Sequence, residues 1–190
     1  MPAQNKLIII TAPSGAGKTS VTKYLLSKIP SLAFSVSATT RKPRSNEVDG
    51  IDYYFISENE FHQKIHNNDF IEWEMVYEGK YYGTFKNELE RIWKESTPPL
   101  LDIDVKGAIH VHEQFNTDCL TIFIEPPSVD ELKKRLQSRG TDSLESIQTR
   151  LNKAIFELSF KHQFNKIVVN DDLNRACAET EKIVNDFIKP

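Results

Sequence analysis

LIIITAPSGAGKTSV, residues 7–21, sets an apolar, β-branched run directly against a glycine-rich turn and the start of a helical pattern. Leu7-Ile8-Ile9-Ile10 reads as a strand buried on both faces of a parallel sheet. Beyond the turn, Val21, Tyr24, Leu25 and Ile29 recur at helical spacing until Pro30 stops the pattern. Between strand and helix lies Ala12-Pro13-Ser14-Gly15-Ala16-Gly17-Lys18-Thr19, the place and composition of a phosphate-binding loop. Successive backbone N–H groups of such a loop wrap a phosphate, Gly15 and Gly17 remove Cβ clashes, and the helix N-terminus favours the anion. Lys18 can then reach β- and γ-phosphates, and the Thr19 hydroxyl can serve Mg²⁺. The strict motif has Gly where this chain has Ala12, so Ala12 is expected to keep a negative φ. A glycine turn that only joins strand to helix is the plainer alternative.

Working outward, Leu100 to Ile103, Leu120 to Ile124 and Ile167-Val168-Val169 supply further strands, with room for crossover helices, so the framework is α/β. Phe34 to Pro98 has a different texture, rich in aromatics and mixed charge, with short strands expected at 53–56 and 70–73; it reads as an inserted subdomain. Ser57 with Glu60 and Ser128 with Glu131 are capping-box patterns, opening helices that carry Phe61 and Ile65, and Leu132 and Leu136. Gly140 is expected to end the second. From Asp142, Ile147, Leu151, Ile155 and Leu158 are expected on one helix face that continues to about Phe164.

The chain has 190 residues, with 24 Lys and Arg against 27 Asp and Glu for a net charge of −3. That length supports its own core without metal or disulfide, and no global basic field advertises nucleic acid. The apolar runs are far short of the ~20 residues of a membrane span and the first residues lack a signal-peptide pattern, so a cytoplasmic protein is expected. Cys119 and Cys177 have no metal-binding or redox spacing and read as reduced packing residues. His62, His66, His110, His112 and His162 are scattered and receive no catalytic role.

Three cations fall within Arg41-Lys42-Pro43-Arg44. Arg forks bind phosphate oxygens in bidentate fashion, so Arg41 and Arg44 suit a second anionic group, with a solvated loop as the bland reading. Asp102 and Asp104 alternate with Leu101 and Ile103 at the end of an apolar strand, near the sheet edge where open α/β folds bind ligands. Asp102 suits Mg²⁺; acids that merely cap the next turn are the competing reading.

Together, APSGAGKT, SVSATTRKPR (35–44), EVDGIDYYF (47–55), FIEW (70–73), YYGT (81–84), LDID (101–104) and VNDDL (169–173) resemble the guanylate kinase family in order and spacing. The resemblance implies a P-loop NTPase core, a parallel sheet flanked by helices, with an inserted GMP-binding subdomain and a lid. Expected boundaries are 1–36, 97–128 and 151–190 for the core, 37–96 for the GMP-binding subdomain and 129–150 for the lid. It implies transfer of the γ-phosphoryl group of ATP to GMP, and to dGMP, with Mg²⁺ held through Thr19 and Asp102.

By the resemblance, Arg41, Arg44, Tyr53 and Tyr82 hold the GMP phosphate, while Ser37, Glu72 and Thr84 face guanine, with Asp104 nearby. A carboxylate at Glu72 accepts from N1–H and the 2-amino group, donors adenine does not present there. Without the resemblance, Glu72 reads as a solvent-facing strand position, and Tyr53, Tyr82 and Trp73 as core aromatics. Arg135, Arg139 and Arg150 fall in the lid, the last two as catalytic cations beside Lys18 and Arg41; Arg135 is also readable as a solvated helix face. Asn170 and Asp171 are expected to border the adenine. No general base is required, because the attacking group is already a phosphate oxygen.

A binding module on the same fold is the rival from another class, and a kinase for another small acceptor is the third reading. Gly17, Lys18, Thr19 and both acids argue against the former, Glu72 with Ser37 against the latter. Monomer and homodimer are both compatible with the sequence; no nucleic-acid or membrane partner is expected.

Overall fold

A computed structural model describes residues 6–138 and 144–189. Strands β1 (Leu7–Thr11), β2 (Ala33–Phe34), β7 (Pro99–Asp102), β8 (Cys119–Glu125) and β9 (Lys166–Val169) form a parallel sheet in the order β2-β7-β1-β8-β9. Every residue of β1 is buried, because helices cover both faces of the sheet. Ile8 and Ile10 pack with Val21 and Leu25 of α1 (Lys18–Lys28) and Val184 of α7 (Leu173–Ile188). Leu7 and Ile9 face Val105 and Val111 of α4 (Val105–Phe115) and Leu89 of α3 (Lys86–Lys94). A two-sided core of this kind is what a continuous apolar strand requires. Cys119 and Cys177 are buried free thiols in it.

The inserted region forms a second sheet in the order β4-β3-β6-β5, from β3 (Ala38–Thr39), β4 (Tyr54–Phe55), β5 (Phe70–Tyr77) and β6 (Lys80–Phe85). Helix α2 (Glu58–His66) packs Phe61 against Phe70 in this subdomain's own small core. Ser57 caps α2 by accepting from the Glu60 N–H, and Ser128 accepts from the Glu131 N–H beside α5 (Val129–Ser138), as the capping boxes predict. Helix α3 lies inside the 37–96 stretch, yet Leu89 and Trp93 pack with the main-sheet core.

Helix α6 (Leu144–Leu158) departs from expectation in two ways. It ends at Leu158, followed by a short 3₁₀ turn at Lys161–Gln163, instead of running to Phe164. Its apolar face is Ile147, Leu151 and Ala154, packed on Leu132 and Leu136 of α5, and leaves Ile155 49% exposed. Ala154 takes the place expected for Ile155 against α5, and Leu158 packs with the main-sheet core. The helix also runs unbroken across position 150. Gly140 and Asp142 lie outside the described residues. No helix among the described residues is long and apolar enough to cross a membrane.

Candidate active site

The two sheets face each other across a cleft of about 250 Å³, walled by the phosphate loop on one side and by β5 and β6 on the other. The loop leaves β1 at the carboxyl edge of the main sheet, where the crossover topology opens a crevice. Gly15 and Gly17 take φ of 94° and 103°, while Ala12 keeps a negative φ, so the non-glycine at the first motif position is accommodated without strain. Gly15 also admits a helix: a Cβ there would lie 3.1 Å from Leu132 and Leu136 of α5.

Lys18, at the start of α1, turns its ammonium across the cleft floor. Its Nζ lies 2.7 Å from Asp102 Oδ1 and donates to the Ile103 carbonyl at 3.0 Å. Burial alone pulls the lysine's pKa down, but the adjoining Asp102 carboxylate more than offsets this, so it is raised. Thr22 donates to the other Asp102 oxygen at 3.3 Å, which orients the carboxylate from the opposite side. Asp104 does not share the strand, which ends at Asp102; it caps α4 by accepting from the Gly107 N–H at 2.9 Å. Both acids line the cleft, but Asp104 does so from the N-cap of α4 and not from the strand.

Arg41 is firmly held beside the cleft. It forks onto Glu47, with Nη1–Oε2 and Nη2–Oε1 at 2.5 and 2.7 Å, and its Nε donates to the Tyr82 hydroxyl at 3.1 Å. Its guanidinium lies 5.0 Å from the Tyr53 ring centroid, and Tyr53 meets Tyr82 edge to face. Arg44 is 68% exposed at its side chain and held only loosely by Glu47 at 3.8 Å, so it is free to swing towards an incoming anion. Glu47 was not singled out by the sequence; its place in EVDGIDYYF, a few residues after the arginines, was the available signal.

At the other end Glu72 is buried, only 6% exposed. Thr84 Oγ1 donates to its Oε1 at 2.6 Å, and Ser37 Oγ lies 3.3 Å from Thr84 Oγ1. Burial raises the Glu72 pKa to about 8, opposed by the Thr84 bond and reinforced by Asp104 and Glu74. A Cβ on Gly107 would stand 2.5 Å from Glu72 Oε2, so glycine there leaves the carboxylate its place. The solvent-facing alternative for Glu72 is excluded; Trp73 is the exposed residue, at 42%. Glu72 and Glu74 share the cleft face of β5, whereas Phe70, set off from Glu72 by a register shift, packs on the other face against Phe61 and Phe85.

The last wall is α6. Arg150, Lys153 and Glu157 all line the cleft. Lys153 donates to the Val76 carbonyl of β5 at 3.1 Å, pairs with Glu157 at 3.4 Å and covers the Tyr77 ring at 4.9 Å. Burial raises the Glu157 pKa and Lys153 partly restrains it. Lys153 and Glu157 follow Arg150 at three and seven residues, the polar mirror of the apolar spacing, a signal that the apolar count passed over.

Arg135 of α5 donates to the Asn170 carbonyl at 3.0 Å and lies 3.5 Å from Glu131, so it is not merely a solvated cation. Asn170 turns its side chain onto the phosphate loop and not outward, and Asp171 is exposed and ion-paired with Arg175. Arg139 lies outside the described residues.

Among the described residues no group of three or more His, Cys, Asp or Glu could cage a metal. One carboxylate, Asp102, and one hydroxyl, Thr19, do fit a Mg²⁺ that keeps its waters and arrives with phosphate.

A family model described as guanylate kinase matches residues 4–187. A guanylate kinase of Porphyromonas gingivalis is 48% identical over 184 residues, 96% of this chain and 98% of that protein. One of Salinibacter ruber is 46% identical over 188 residues, 99% of each. The crystal structure of guanylate kinase from Anaplasma phagocytophilum superposes with a TM-score of 0.81 at 29% identity, covering 99% of this chain and 88% of that one.

Proposed function

The chain belongs to the guanylate kinase family, and we propose that the cleft between its two sheets is where the phosphoryl group is transferred. The protein is an ATP:GMP phosphotransferase, a nucleoside monophosphate kinase that turns ATP and GMP into ADP and GDP. Serving guanine nucleotide synthesis and recycling, it takes dGMP as a second acceptor.

The parallel sheet with α1, α3, α4 and α7 is the core, the second sheet with α2 is the GMP-binding subdomain, and α5 with the first half of α6 is the lid. Ala12 to Thr19 cradle the triphosphate of ATP by backbone N–H groups. Lys18 leaves Asp102 for the β- and γ-phosphates, while Arg135 and Asp171 border the donor's base. Thr19 and Asp102, once Lys18 has turned away, would hold Mg²⁺, which would supply neutralising charge beside the phosphate oxygens.

Arg41, Arg44, Tyr53 and Tyr82 grip the GMP phosphate, and Ser37, Glu72, Thr84 and Asp104 surround guanine. An oxygen of that phosphate attacks the γ-phosphorus as the bond from phosphorus to the β–γ bridging oxygen breaks, and the bridging oxygen leaves with ADP. Arg150, with Arg139 from the lid, meets the charge that spreads over the equatorial oxygens. Closure of the lid excludes water, which would otherwise accept the phosphoryl group.

The buried Glu72, facing the phosphate loop across the cleft, carries this reading. Steady-state assay of ADP release with GMP, dGMP, AMP, CMP and UMP tests it. GMP and dGMP should turn over and the others fail by orders of magnitude, because Glu72 is left without donors; AMP turning over faster than GMP would overturn it. Activity of a Mg²⁺-free, chelated sample should be lost and return on adding Mg²⁺.

A further inference from the structure

Asn170 sits just beyond β9, where a side chain beside the donor's base would face the open cleft. It does not face the cleft. It is buried, and its Nδ2 donates to the Ala16 carbonyl in the middle of the phosphate loop at 2.7 Å. Its own position is fixed at both ends of its backbone: its N–H donates to the Glu125 carbonyl at the end of β8 at 2.8 Å, and its carbonyl accepts from Arg135 of α5 at 3.0 Å. The loop is built around this side chain. Gly17 adopts φ 103°, and a Cβ there would lie 2.2 Å from Asn170 Nδ2, so the glycine makes room for the amide as well as for an anion.

We propose that Asn170 is a positioning residue for the phosphate loop, a strut from the end of β9 that bonds the Ala16 carbonyl and so keeps the neighbouring N–H groups aimed at the triphosphate. A peptide unit has its carbonyl and its N–H on opposite sides. Bonding the Ala16 carbonyl outward therefore turns the following N–H, that of Gly17, towards the anion. The Arg135 bond ties the same strut to α5, whose Leu132 and Leu136 abut Gly15, so the loop's shape depends on the seating of the lid helix. The inference rests on residues 12–19 binding the donor's phosphates.

The test compares two donor-site ligands, one without a base. Inorganic tripolyphosphate with Mg²⁺ should inhibit the wild-type protein competitively against ATP; if it does not, the phosphate-loop reading itself fails. In Asn170→Ala, the KM for ATP and the inhibition constant of tripolyphosphate should rise by the same factor, about 5- to 100-fold for one lost buried bond. The KM for GMP should stay within about twofold. A rise for ATP with tripolyphosphate unchanged would make Asn170 a base contact and overturn the proposal, as would no change in either. Equal weakening of GMP would reduce its role to general stability. Should Asn170→Ala melt below the assay temperature, Asn170→Ser, smaller and still polar, carries the same comparison.

Discussion

Lys18 and Asp102 satisfy one another, ammonium to carboxylate at 2.7 Å, on the floor of the cleft beside the glycine loop. The pairing avoids leaving either charge buried and alone. On the function proposed above, the donor would exchange this pair for two new ones, lysine with phosphate and aspartate with Mg²⁺.

Lys18→Met should abolish transfer, lowering kcat by at least ~10²-fold, while GMP binding, measured by calorimetry, stays within about twofold. Activity equal to wild type would remove Lys18 from the donor site.

Glu72 sets a pH dependence whose sign follows from its environment. Burial raises its folded pKa to about 8, well above the ordinary carboxylate range, so between the two values the folded chain holds a proton that the unfolded chain has released. The stability it contributes is present below the unfolded value and is lost as pH rises through about 8. On the function proposed above, guanine, which offers two donors, takes the ionised carboxylate. The rise in melting temperature on adding GMP should therefore be larger at about pH 8 than at about pH 6, and Glu72→Gln should flatten the difference. The same variant, without GMP, should be more stable than wild type at pH 8 by roughly 1–3 kcal/mol.

Arg41→Lys keeps a charge but loses the planar fork that joins Glu47 and Tyr82. The KM for GMP should rise about tenfold or more while that for ATP hardly moves. Parallel titrations of both substrates check it.

Lys153→Met removes the bond from α6 to the Val76 carbonyl and leaves Glu157 buried without its partner. A drop in kcat of about 3- to 30-fold, with loss of stability near 1–3 kcal/mol, is expected. Unchanged kcat and melting temperature would show that the bridge between helix and sheet is idle.

The strand, glycine loop and helix at residues 7–28 were legible because one local pattern carries each of them, and the Ser57 and Ser128 caps were legible for the same reason. Glu72 was not legible from alternation alone. On the cleft side of β5 the usual rule is inverted: Glu72 is buried while Trp73 and Met75 are exposed, so only the resemblance singled Glu72 out. Lys153 and Glu157 escaped because helical spacing was counted on apolar residues. The bond from Asn170 to the phosphate loop escaped the sequence, since a contact 154 positions apart leaves no trace in local sequence.

The most direct test of a guanine-reading carboxylate facing a phosphate loop is kcat/KM for GMP, inosine monophosphate and AMP in wild type and Glu72→Gln. Inosine monophosphate keeps N1–H but lacks the 2-amino group. The wild type should rank GMP above inosine monophosphate and both far above AMP, with the GMP-to-AMP ratio near 10⁴ or more and collapsing by at least ~10²-fold in the variant. A ratio that Glu72→Gln leaves unchanged would contradict the account.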